Sequence, residues 1–179
     1  MNSEGKDFKK LEDIRLTYAD KWILSRLNNV VKEVTINLNK YEIGLATGKL
    51  YDFVWSDFCD WYIEATKPML YGDNERAKLN ALTVLNFVLD EILKLMHPFI
   101  PFVTEEIYQN LRSDDMPESI HLCSFPVYNE NERDGKLEKE MNLVMKAVAM
   151  GRSLRANSNL KVRQPLSVYF IVDRDDEDR

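Results

Sequence analysis

His97 and His121 are the only imidazoles in this chain of 179 residues, and neither stands in a spacing that builds a catalytic or metal centre. The string holds no HExxH, no GxSxG, no glycine-rich phosphate loop and no CxxC, so hydrolase, kinase and zinc readings have nothing to rest on. His97 directly precedes Pro98 at what reads as a helix end, where an imidazole serves the last carbonyls or the dipole. His121 has no Cys or carboxylate partner visible in the string. Glu105 and Glu106 look like an acid/base couple, but adjacent residues leave a helix on different sides. Their place early in a helix points to an interaction with its positive end. Cys59 and Cys123 are far apart and unclustered, which suggests neither a metal site nor a disulfide and fits a reducing compartment.

Two other groups carry potential chemistry. Trp55, Phe58, Trp61 and Tyr62 resemble a base-stacking platform, although their helical spacing beside Phe53 and Val54 reads first as core. Trp61 or Tyr62 is then the residue expected to show an edge, and Trp61 is a candidate stacking group. From Met141 to Val172 there is no acidic residue, while Lys146, Arg152, Arg155, Lys161 and Arg163 all fall there. Arg152 and Arg155, three apart on a helix, share a face. Such a run is either a solvated face or an electropositive surface for phosphates.

These residues must be carried by helices. Ile23, Leu27, Val30, Val31, Val34, Leu38 and Tyr41 recur at three and four residue steps, which predicts a first long helix over Ala19 to Tyr41. Leu45, Leu50, Phe53, Val54, Phe58, Trp61, Tyr62 and Ala65 predict a second, ending where Pro68 forbids continuation. After the turn Gly72-Asp73-Asn74, with Asp73 or Asn74 as cap, a third carries Ala77, Ala81, Leu85, Val88, Ile92 and Met96. Pro101 suits the first turn of a fourth, with Ile107 and Leu111 on its inner face. Residues 113 to 131 read as a long connection with one short extended piece, Ile120 to Phe125. A fifth helix is predicted from Gly135 to Ala156, broken by Asn157-Ser158-Asn159, and Leu166 to Val172 reads as a strand.

The predicted fold is all-α, an antiparallel helical bundle, with a small α+β appendage at the C-terminus. Its interior should include Leu27, Val34, Phe53, Leu85, Val88 and Ile92. The organisation is a flexible lead-in over 1–17, a bundle over 18–112, a connecting segment over 113–133, and a C-terminal helix with the start of a mixed subdomain over 134–179. A lone strand needs partners, so the chain reads as a piece of a longer protein. With 45% hydrophobic and 30% charged residues the composition is that of a globular protein. No apolar run approaches the roughly 18 residues that span a bilayer, and no stretch resembles a signal peptide. A cytoplasmic, non-membrane setting is expected. The net charge of -6 weighs against a wholly basic nucleic-acid binder and leaves room for a local basic face.

Read as strings, three segments resemble class I aminoacyl-tRNA synthetases for aliphatic amino acids, in that family's order. Ala19 to Asn28, ADKWILSRLN, is similar to the opening helix of the valyl anticodon-binding domain. Tyr51 to Glu64, YDFVWSDFCDWYIE, followed by Lys67-Pro68 and Tyr71, is similar to the same domain. Leu95 to Tyr108, LMHPFIPFVTEEIY, resembles a segment shared by valyl, isoleucyl and leucyl enzymes. Ser119 to Leu122, Phe125-Pro126 and Leu160 to Leu166 resemble isoleucyl enzymes instead. The longer matches lie in the bundle and favour the valyl type, with the isoleucyl type as the alternative.

The resemblance implies a domain that docks the anticodon stem-loop of a valine (or isoleucine) tRNA while other domains of the same synthetase act on the acceptor end. The signatures His-x-Gly-His and Lys-Met-Ser-Lys-Ser are missing, so this stretch should hold no catalytic residue and no cofactor. ATP and magnesium would serve the rest of the enzyme. Residues expected to touch tRNA are Arg152, Arg155, Lys161 and Arg163, then Arg26 and Lys67, with Trp61 as a stacking group. The competing reading is a helical protein-interaction module whose aromatic and Met-rich surfaces bind a partner helix. A buried di-metal enzyme of the ferritin-like kind needs paired Glu-x-x-His motifs on its helices and is not expected.

Overall fold

The computed structural model describes residues 11–171. The first part of the 1–17 lead-in, Val172 of the predicted strand and the acidic cluster at Asp173 to Asp178 lie outside the described residues. Six helical stretches come after a short turn of 3-10 helix at Leu11–Asp13: α1 (Tyr18–Asn39), α2 (Ile43–Asp52), α3 (Glu64–Leu70), α4 (Glu75–Met96), α5 (Pro101–Leu111) and α6 (Gly135–Asn157). No strand occurs among the described residues. The chain divides into two compact units, up to Gly135 and from Lys136 onward.

In the first unit, turns of three or four residues reverse the chain between α1 and α2, α3 and α4, and α4 and α5, so these helices pack as an antiparallel bundle. α1 begins with a capping box: the Thr17 hydroxyl accepts from the Asp20 amide while the Asp20 carboxylate accepts from the Thr17 amide. That satisfies two donors the first turn would leave free. Asn74 caps α4 by accepting from the Ala77 amide at 3.1 Å, and Pro101 opens α5 where its missing N–H costs nothing. The core gathers Trp22, Ile23, Leu27 and Val34 of α1 with Phe53, Phe58, Tyr62, Val84, Val88 and Ile92. Leu85, predicted inside, is half-buried.

The second predicted helix is not one regular helix. Between α2 and α3, Phe53–Ile63 winds as a π-helix, a form usually confined to single turns. Phe53 and Phe58 are five residues apart, a spacing that leaves an α-helix on different sides but recurs on one side when bonds run from i to i+5. The wider winding buries both, together with Tyr62. Nor does Pro68 end the helix, for α3 continues to Leu70. Gly72 then turns the chain so tightly that a Cβ there would sit 2.8 Å from the Pro68 carbonyl oxygen.

Polar links fix the packing. Tyr62, fully buried, donates to Asp20 at 2.6 Å; burial and then the Asp20 carboxylate push its phenol far above the usual range. Arg26 pairs with Asp57 at 2.8 Å, joining α1 to the π segment. Asn28 exchanges two hydrogen bonds with the Asn129 backbone, which fastens the connecting segment to α1.

The predicted extended piece from Ile120 to Phe125 is instead a 3-10 turn at Ile120–Leu122. Ser119 accepts from the His121 amide, and Glu105 accepts from Ser119 Oγ at 2.9 Å and the Ile120 amide at 3.0 Å. Glu105 therefore anchors this loop, and the helix dipole is not its main partner; hydrogen bonds from Gln109, Ser119 and Ile120 hold its carboxyl below the ordinary value. Ile120 packs on Leu93 and Tyr108 in a small second core with Met116 and Cys123. α5 buries Thr104 and Tyr108, one turn apart, and leaves the predicted Ile107 38% exposed.

Candidate nucleic-acid interface

The second unit is α6 and the segment after it. α6 ends because Asn159 adopts the left-handed conformation, φ 52°, which asparagine tolerates at a helix terminus. Arg155 organises the turn beyond the helix: its Nη1 donates to the carbonyls of Lys161 at 3.0 Å and Gln164 at 2.8 Å. The segment then comes back toward the helix. Tyr169 donates to the Ala147 carbonyl at 3.0 Å, passing where Gly151 has no side chain; a Cβ there would lie 2.7 Å from the Tyr169 hydroxyl. Residues 166–171 run along the helix without forming the predicted strand, because no second strand offers them a ladder.

Between helix and segment lies a cavity of 540 Å³ with Val144, Val148, Val162 and Leu166 on its walls and Arg152 and Arg155 beside them. Arg152, Lys161 and Arg163 are exposed and make no ion pair among the described residues. No acid falls between Asn142 and Ile171, so these cations have no acidic neighbour within that stretch, which is compatible with a phosphate-binding surface. The four predicted basic residues thus belong to one unit, three facing solvent and one holding the turn that displays Lys161 and Arg163.

The other predicted contacts belong to the first unit. Arg26 is occupied by Asp57 and Lys67 by Glu64. Trp61 is half-buried and Tyr62 wholly so; the outward indole is Trp55, 55% exposed, tilted against Tyr51 with ring centroids 6.1 Å apart. The winding of the π segment, invisible to an α-helical count, turns Trp55 outward.

The histidines that looked isolated meet. His97 Nδ1 lies 2.7 Å from Thr104 Oγ1 and its Nε2 lies 2.9 Å from His121 Nδ1. The Thr104 hydroxyl donates to the Ile100 carbonyl, so it accepts from His97 Nδ1–H, and His97 Nε2 accepts from His121 Nδ1–H. This order requires a neutral His97. Burial and then His121 lower its pKa, with Glu105 opposing. Glu118 stands three residues before His121 but outside any α-helix, and among the described residues no group of three or more His, Cys, Asp or Glu is placed to hold a metal ion. Burial and Asp60 raise the Cys59 thiol above its usual value, which disfavours the thiolate.

Residues 20–170 match the family model described as the anticodon-binding domain of tRNA ligase. The chain belongs to this family. The domain is 43% identical over 179 residues to the valine-tRNA ligase of Clostridium perfringens, covering 99% of this chain and 20% of that protein. It is 45% identical over 168 residues to the valine-tRNA ligase of Bacillus thuringiensis subsp. konkukian, covering 92% and 19%. For that of Lactiplantibacillus plantarum it is 43% over 157 residues, covering 88% and 17%. The domain therefore spans about a fifth of the length of these curated relatives. All three lie on the valyl side of the resemblance. Among the described residues no helix is long and apolar enough to cross a membrane.

Proposed function

We propose that this domain binds the anticodon stem-loop of a valine tRNA and holds it while the rest of a valine-tRNA ligase aminoacylates the distant acceptor end. The observation that carries the reading is that Arg152, Lys161 and Arg163 are exposed and without ion pairs among the described residues, within an acid-free stretch of a chain of net negative charge. Arg155 acts as a positioning residue, holding the turn at both carbonyls. Lysine and arginine contacts to phosphate set register, and contacts to unpaired loop bases set identity. The packed first unit supplies the rigid part of the domain. Amino-acid activation with ATP and magnesium belongs to the other domains of the ligase, which are the second partner, and the setting is the cytoplasm.

The test is fluorescence anisotropy of the 179-residue chain with the anticodon stem-loops of valine and isoleucine tRNAs across a salt series. Salt-sensitive binding with the valine loop preferred is expected. Equal binding of both loops would refute the valine assignment, and no binding to either would refute the tRNA reading.

A further inference from the structure

At the end of the first unit where α1 and α4 both begin, a cavity of 370 Å³ is lined by Arg15, Arg76, Asn80, Met69, Ala77 and Asp20 among others. Its size lies within the range of small-ligand sites. Two caps build it. The Thr17–Asp20 box fixes the start of α1 just after Arg15, and the Asn74 cap fixes α4 so that Arg76 and Asn80, one turn apart, share a face beside the column of Ala77 and Ala81.

The cations of this cavity are unpaired among the described residues, as are Lys21 and Lys40 elsewhere in the same unit, whereas others are not. Lys49, Lys67, Lys78 and Lys94 of the same unit are each in an ion pair, as is Arg26. Arg15 and Arg76 pair with no acid, and the Asn80 amide makes no hydrogen bond, among the described residues. Asp20, the acid on the wall, has both carboxylate oxygens engaged, one by Tyr62 and the other by Thr17. Two guanidiniums, a free amide and an apolar wall of Met69 and alanines are the complement of a nucleotide: anionic phosphate, hydrogen-bonding base edge and flat base face.

We infer that this cavity receives one unpaired nucleotide of the bound RNA, its phosphate between Arg15 and Arg76, its base edge on Asn80 and its base face against Met69. The inference rests on the tRNA reading above and adds a base-reading site in the first unit, separate from the basic face of the second. No motif marks it, because Arg15 and Arg76 are 61 positions apart in sequence.

The experiment uses the 179-residue chain and the valine anticodon stem-loop, with the variants Arg15→Ala/Arg76→Ala and Asn80→Ala. The substituted side chains are exposed or half-buried, and circular dichroism checks that each variant stays folded. The double arginine variant should bind about tenfold more weakly, with a salt slope shallower by about 0.7 for each phosphate no longer neutralised. Abasic substitution through the loop should find one position whose removal weakens the wild-type chain but costs Asn80→Ala nothing further. If the wild-type chain binds the loop while both variants match its affinity and slope, the cavity is not a nucleotide site and the tRNA reading stands. If the wild-type chain binds neither stem-loop, both readings fall.

Discussion

The two units of this domain are held together by different means. The first buries an aromatic core and ties its helices across the sequence, Tyr62 to Asp20, Arg26 to Asp57, Asn28 to Asn129. In the second, the helix α6 buries only Leu137 and Glu138 among the described residues, and its order past the helix end depends on one arginine and one tyrosine bonded to carbonyls. Charge is costly to bury, and the second unit, rich in exposed cations, carries little core, whereas the buried aromatic core lies in the first.

The largest stability effect should therefore come from a first-unit polar link. Asp20→Ala removes the carboxylate half of the α1 capping box and strands the buried Tyr62 hydroxyl, and should cost about 3 kcal/mol in urea unfolding. Arg155→Ala should leave the unfolding midpoint within about 1 kcal/mol of wild type while hydrogen exchange speeds at Leu160 and Gln164, whose amides close the turn. If Arg155→Ala proved as costly as Asp20→Ala, the contrast between the units would be wrong.

The connecting loop should be the acid-sensitive part of the first unit. His97 has a lowered pKa in the folded state, so the unfolded chain binds more protons as pH falls below the ordinary histidine value of about 6.5. The loop's stability is thus full above that value and declines as pH drops toward the folded pKa. Protonation removes the acceptor at Nε2 and sets two N–H donors face to face. Glu105, also depressed, keeps its contribution until the pH falls from the ordinary carboxylate range through its lower folded value. The protection factors of the Ile120 and Cys123 amides, taken against the intrinsic exchange rate at each pH, should fall in two steps as acid is added, and His121→Ala should flatten the first. Protection factors that do not change with pH above the carboxylate range would contradict the histidine relay.

The smallest effects compare the two left-handed residues. Tyr41 has φ 59° just beyond α1 and bears the strain of a side chain in that region, whereas Asn159 is suited to it. Tyr41→Gly should stabilise by about 0.5 to 1 kcal/mol, and Asn159→Gly should change stability by only a few tenths.

Where one face of a helix repeats every three or four residues and a cap stands before it, the sequence was enough: α1, α4 and α6 fall within two residues of their predicted bounds, and Asn74 and Pro101 begin helices as their chemistry requires. The π segment was hidden because its signal is a five-residue step between Phe53 and Phe58, which mimics ordinary helical scatter. The same winding moves exposure within the aromatic platform from Trp61 to Trp55. The β-branched run from Leu166 satisfied strand propensity, but propensity without a partner strand makes no ladder. The His97–His121 contact, and the cavity between Arg15 and Arg76, join residues with no shared motif, and only the folded chain brings them together.

The basic face of the second unit is the central claim, and its most direct test is the salt dependence of RNA binding by the variant Arg152→Ala/Arg155→Ala/Lys161→Ala/Arg163→Ala. Anisotropy titrations of the valine anticodon stem-loop against wild-type and variant chains should show weaker binding by the variant and a salt slope reduced by about 0.7 for each phosphate left without its cation. The weakening should be similar for a non-cognate stem-loop, because phosphates carry no sequence information. A folded variant with unchanged affinity and unchanged slope would show that Arg152, Lys161 and Arg163 are only a solvated surface and that the turn held by Arg155 has no part in binding.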